Sequence, residues 1–114
     1  MAEYLVLIYQ DESSPTQTDA SAGGELMAGH VRFAEQHGAT LRGGNALQEA
    51  ATATSVRRDG SGGFTITDGA FAETKEALGG YYLIEADDLD EAITIAKDIP
   101  TPTGGVEIRP VRPT

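Results

Sequence analysis

Two stretches of this chain are apolar at every position, Tyr4-Leu5-Val6-Leu7-Ile8-Tyr9 and Tyr81-Tyr82-Leu83-Ile84. Each has the length of a strand and is too short for an ordinary helix. Successive side chains of a strand point to opposite faces, so a sheet built on these two runs is apolar on both sides. The remaining segments with helical periodicity number only two, and two helices cover one face. The other face then needs a second covering layer, and the least demanding one is the same face of a second copy. The competing expectation is a lid made by the polar segments 11–22 and 68–79. The first run is also far below the roughly 20 residues of a membrane span. It follows Met1-Ala2-Glu3, with an acid where a secretory leader carries Lys or Arg. The expectation is a cytoplasmic homodimer without a membrane partner.

The other elements follow from punctuation and period. Residues 11–22 are mostly Asp, Ser, Thr and Ala with one Pro, a polar loop and the expected most mobile part. Glu25 to His37 carries Leu26, Val31, Phe33 and Ala34 as an imperfect apolar face and stops at Gly38, the usual residue type just past a helix C-terminus. Thr40 to Leu47 is a weak, Gly-interrupted strand. Thr52 to Arg58 and Phe64 to Thr67 flank Asp59-Gly60-Ser61-Gly62-Gly63 as a hairpin, and residues 68–79 are expected as a charged loop or a single helical turn. Asp88 with Glu91 three residues on has capping-box spacing. Leu89, Ala92, Ile93 and Ala96 then share one helical face, with Pro100 as the stop. Val106 to Val111 is a last strand, and its Pro110 belongs at a sheet edge. The order β-α-β, hairpin, β-α-β predicts a single α+β domain over 1–114. Its expected architecture is a ferredoxin-like (split βαβ) antiparallel sheet with two helices on one face and an inserted hairpin.

Charge narrows the partners. The formal net charge is −10, from 18 acidic and 8 basic residues, which disfavours nucleic acid and anionic membranes. No cysteine is present, so nothing suggests disulfides, Cys-based metal sites or thiol chemistry. His30 and His37 are seven residues apart, about 10 Å along a helix, too far to bind one metal directly. No metal and no cofactor is expected.

Asp68-Gly69-Ala70-Phe71-Ala72-Glu73-Thr74-Lys75-Glu76, continued by Gly79-Gly80-Tyr81-Tyr82, resembles the signature of the YCII-related proteins, in particular the DGPF subgroup. That signature reads D-G-P-F-x-E-x-K-E and then G-G-Y-Y. The likeness extends to Gly43-Gly44 and to the ending Val106-Glu107-Ile108-Arg109-Pro110. Ala70 departs from it by replacing the Pro, which loosens the turn after Gly69. The resemblance implies a ferredoxin-like dimeric α+β barrel. It also implies two kinds of role. One is acid/base chemistry on a small molecule, as in a family dehydrochlorinase of chlorinated aromatic breakdown. The other is a non-catalytic ligand-binding or regulatory module, as in members encoded beside extracytoplasmic-function sigma factors. Shorter relatives carry a His early in the first helix, proposed as half of a His-Asp pair. Aligned on Gly38, His30 falls about one turn later.

The candidate catalytic residues are His30, Asp68 and Lys75, each with a plainer alternative. His30 shares the apolar face of Leu26 and Phe33, as a proton-transfer group or a hydrogen-bonded histidine at the core edge. Asp68 is either an acid or base at a pocket rim or the cap of the turn at Gly69. Lys75, among Glu73 and Glu76, either binds a small anionic ligand or is a solvated lysine. Arg109 likewise either holds an anion or pairs with an acid. Phe71 is expected to anchor its segment in the core. Tyr81 and Tyr82 point to opposite faces, one toward the presumed interface. With Phe71, Glu76 and Arg109 they form the candidate ligand-binding group. His37, just before Gly38, suits the negative end of the helix dipole.

Overall fold

The computed structural model describes residues 1–13, 20–71 and 75–113, with side chains in the first helix described from Gly24 onward. The strands are β1 (Ala2–Gln10), β2 (Leu41–Ala46), β3 (Thr54–Arg58), β4 (Phe64–Asp68), β5 (Ala77–Ala86) and β6 (Gly105–Pro110). The helices are α1 (Ala20–His37) and α2 (Leu89–Ala96). Four strands form a wholly antiparallel sheet in the order β2-β5-β1-β6, while β3 and β4 pair only with each other. The order places the two apolar runs side by side at the centre and Pro110 on an edge strand, where its missing N–H costs nothing. This is the α+β, ferredoxin-like arrangement that the order of elements implies.

Tyr4, Val6 and Ile8 from β1 and Ile84 and Ala86 from β5 form one core with Phe33 of α1, Ala92, Ile95 and Ala96 of α2, and Ile99 beyond it. Both helices therefore cover the even-numbered face. On the other face Leu5 lies opposite Leu83 and Leu7 opposite Tyr81, all four half-buried. The shortest extent of the molecule is 18 Å, which suits one helix layer on one sheet. No helix among the described residues is long and apolar enough to cross a membrane.

Two boundaries and one packed face differ from expectation. α1 begins at Ala20 rather than Glu25, inside the segment that composition marks as a loop; residues 14–19 of that segment lie outside the described residues. β5 begins at Ala77, because antiparallel pairing with Gln10 and Tyr9 extends the ladder past the expected loop. The packed face of α1 is Leu26, Gly29, His30, Phe33 and His37, a helical i, i+3, i+4 stripe, and Val31 and Ala34 lie outside it. Gly29 belongs to that face because Pro100 packs where its side chain would be, 3.2 Å from an ideal Cβ.

Local caps follow the sequence. Asp88 Oδ1 accepts the Glu91 N–H at 2.9 Å, and Glu91 Oε1 accepts the Asp87 N–H at 3.2 Å. The Glu91 bond reaches one residue further back than in the usual capping box. His37 ends α1 and bonds Asp98 at 2.8 Å, which ties the two helices' C-terminal ends together.

Candidate active site

The first helix sets His30 over the β5 strand one turn before Phe33, the most buried side chain of that helix. Tyr82 projects up to meet it, because it shares the helix face of β5 with Ile84. His30 Nδ1 and the Tyr82 hydroxyl are 2.7 Å apart. The Tyr82 ring also packs on Phe33 at 4.8 Å between centroids. Burial lowers the pKa of His30 from its ordinary 6.5 and raises that of Tyr82 from 10.0, since desolvation disfavours each charged form. At neutral pH both groups are uncharged. One proton is shared along the bond: either Tyr82 O–H donates to Nδ1, or Nδ1–H donates to the phenol oxygen.

The pair sits in a cavity of about 380 Å³, at the small end of the range for small-molecule sites. Ile8, Leu26, Met27 and Leu47 supply its apolar wall and Gln10 a further polar side chain, with Asn45 and Tyr81 at its border. Among the described residues, none that lines it is Asp, Glu, Lys or Arg. Three glycines make the space. Gly44 lies against the Tyr82 ring, where an added Cβ would come within 2.6 Å of Cδ1 and 2.7 Å of the Tyr81 carbonyl oxygen. Gly79 is the extra residue of a bulge opposite Ile8 and Tyr9, and Gly80 packs closely on the β2 backbone. The bulge and the glycines carve the cavity at the β2 end of the sheet.

The other candidates lie elsewhere. Lys75 is exposed in a second, open groove of about 740 Å³ with Tyr9, Glu76, Gly104, Val106 and Glu107. There the lysine stands beside two acids, a poor setting for an anion. Asp68 is exposed at the end of β4, paired with Thr54, and lines neither cavity. Gly69 beside it has φ +100°, and its N–H donates to the Ala53 carbonyl at 2.7 Å. Phe71 is 64% exposed, against the expectation of a core anchor. The Arg57 guanidinium covers its ring at 4.1 Å. The segment leaves from a hairpin that projects from the sheet, so the core is out of reach. Glu73 lies outside the described residues. Arg109 donates to Glu107 at 2.7 Å on its own strand, the ion-pair alternative. Tyr81 faces away from the helices and its hydroxyl accepts from Asn45 Nδ2 at 2.9 Å. One chain therefore brings His30 and Tyr82 together at the cavity, with the Tyr81 hydroxyl on the other face of the sheet, and it does not bring Asp68 or Lys75 there.

The partnership of His30 with Tyr82, and the roles of Gln10, Met27 and Leu47, are not evident from sequence reading. The usable signal was parity, since Tyr82 shares its face with Ile84 and must meet the helix stripe containing His30 and Phe33.

Comparison with known proteins agrees on the fold. The YCII-related domain family matches residues 2–114. An uncharacterised protein of Rhizobium meliloti (strain 1021) is 36% identical over 115 residues, covering 95% of this chain and 90% of the relative. A solved structure of 5-chloro-2-hydroxyhydroquinone dehydrochlorinase from Burkholderia phenoliruptrix, in complex with 2,5-dihydroxybenzoquinone, is 15% identical with a TM-score of 0.54. The similarity covers 96% of this chain and 93% of that one.

Proposed function

This chain belongs to the YCII-related domain family, and we propose that it is an acid/base enzyme of the elimination or isomerisation type acting on a small hydroxylated ring. The observation that carries this reading is the 2.7 Å His30–Tyr82 pair inside a cavity whose described lining residues carry no Asp, Glu, Lys or Arg. A histidine held neutral is ready to accept a proton near pH 7, where general-base catalysis is most effective. With Nδ1–H donating to Tyr82, the Nε2 lone pair is the base; with Tyr82 donating, Nε2–H is the acid. In an elimination, Nε2 takes a proton from a substrate O–H or C–H. The electron pair left behind enters the new double-bond system, and the leaving group departs with its own pair. The imidazolium then returns its proton to the leaving group or to water.

The cavity favours a neutral, flat, partly polar ligand, since it offers no cation to an anion. The substrate in the name of the dehydrochlorinase of similar fold, a hydroxylated aromatic ring, supports this class. Calorimetric titration tests it with hydroquinone and benzoate, two rings of similar size. Hydroquinone binding that weakens at least ten-fold in His30→Gln, with benzoate much weaker, is the expected result. No hydroquinone binding, or tighter benzoate binding, would overturn the reading. Binding without turnover of any leaving-group-bearing quinol would leave a binding module instead of an enzyme.

The same reading includes a homodimer, closed as an α+β barrel through the Leu5, Leu7, Tyr81 and Leu83 face. The support is an apolar sheet face that no helix covers. Sedimentation at micromolar concentration should show a dimer, and a clean monomer would refute it.

A further inference from the structure

The β3–β4 hairpin is the part of the molecule with least support from its own chain. It is a separate two-stranded sheet, and an isolated hairpin is marginal in water. Register puts Val56 opposite Ile66 and Arg58 opposite Phe64, so the three apolar residues share one hairpin face. Val56 is 52%, Phe64 55% and Ile66 68% exposed. The Cα radius of gyration is 16.1 Å, against about 13 Å for a compact chain of this length, as expected for a projecting arm.

The cavity has a complementary rim. Met27 and Leu47 are exposed there. Glu25 precedes Leu26, Glu49 follows two residues after Leu47, and Glu12 accepts the Ala50 N–H at 3.0 Å. The rim is thus apolar with acidic flanks. The hairpin from Thr54 to Asp68 carries Arg57, Arg58, Asp59 and Asp68, a formal charge of zero, in a chain of net charge −10. With no net charge it can approach another acidic copy without net repulsion, and it presents Arg58 on the same face as its apolar residues.

We propose that the hairpin of one copy closes the mouth of the His30 cavity of a second copy. Val56, Phe64 and Ile66 cover Met27 and Leu47, and Arg58, on the same hairpin face, meets the acidic flank of Glu25 and Glu49. The proposal rests on the homodimer reading. In a dimer joined sheet to sheet, the arm must pass from the open face around the β2 edge to the helix side. Strands of five residues reach about 17 Å, comparable to the 18 Å thickness of the molecule, and β2 borders the cavity. The site is then composite. Each chain supplies His30 and Tyr82 to its own cavity and the D-G-x-F segment, with Asp68 and Phe71, to its partner's. The arrangement unites candidates that a single chain holds apart.

The absence of cysteine makes this testable by cross-linking. Met27 and Ile66 are both exposed, so a Met27→Cys, Ile66→Cys double variant keeps the fold. After mild oxidation, non-reducing electrophoresis should show covalent dimers as the main product. Either single variant should give at least ten-fold less. Sedimentation of the reduced double variant runs in parallel. A sedimenting dimer whose disulfide forms within one chain, or fails to form, overturns the composite site and leaves the homodimer standing. A monomer overturns both. As a second measurement, Ile66→Lys should weaken hydroquinone binding at least ten-fold, although Ile66 is on a different element from His30; unchanged binding overturns the proposal.

Discussion

Removing one oxygen atom from Tyr82 isolates the bond on which the site depends. Tyr82→Phe keeps the ring against Phe33, 4.8 Å between centroids, and keeps its contact with Gly44. It deletes only the hydroxyl 2.7 Å from His30 Nδ1. A half-buried neutral hydrogen bond of this kind is worth about 1 kcal/mol net, and loss of that much from a domain of this size lowers Tm by about 4 °C. The second readout is the titration of His30, followed by the ring-proton resonances of the chain's two histidines. If Tyr82 donates, it stabilises neutral His30, and the substitution moves the His30 pKa upward, back toward 6.5. If Nδ1–H donates, the bond favours the protonated ring, and the pKa falls further. Either direction assigns the resting tautomer, and so whether Nε2 starts as acid or base. An unchanged Tm together with an unchanged titration refutes the pairing and the mechanism built on it.

Two further outcomes are expected. Gly44→Ala places a Cβ 2.7 Å from the Tyr81 carbonyl oxygen, a backbone atom that cannot swing aside. It should cost about 1–3 kcal/mol in urea unfolding, and a loss under about 0.5 kcal/mol would show that the strand yields freely. For His30 the folded pKa is below the unfolded one, so its favourable contribution is present above about pH 6.5 and is lost as pH falls through the folded value. The unfolded chain binds more protons in that interval. The stability of wild type relative to His30→Gln should therefore decrease from pH 7 to pH 5; a difference that is flat or grows on acidification contradicts burial of the neutral ring.

The fold was legible because its strongest signals are local and redundant. The two apolar runs had to be central strands, Asp88 and Glu91 marked a helix start, and Pro110 marked an edge. The start of β5 was hidden because Ala77-Leu78-Gly79-Gly80 has little strand propensity; pairing with β1 makes it a strand. Phe71 was misjudged because hydrophobicity alone does not say whether a segment lies over the core or on a projecting arm. The face of α1 was partly misread because Gly29, which has no side chain to score, is at the centre of it, and Pro100 fills the gap. Of the site, His30 and the two tyrosines were legible as candidates. Their pairing was not, because it joins residues 52 positions apart, and no motif spacing spans that distance.

The charge distribution is the remaining constraint on what the site can do. A chain with an excess of ten negative charges holds a cavity with none among its described lining residues. Anions are repelled over the approach, to the extent that salt leaves the field unscreened, and inside they meet no cation to replace their lost hydration. A neutral phenol or quinol pays neither cost. On the proposed mechanism it becomes charged only as its proton moves to His30, which leaves an imidazolium beside the new oxyanion. On that mechanism the cavity would bind the neutral ground state without electrostatic gain and stabilise charge separation where the reaction creates it. Interactions stronger in the transition state than in the ground state are the ones that raise the rate. A fixed lysine at the cavity, the role Lys75 was a candidate for, would have held the anion from the outset and deepened the ground state instead.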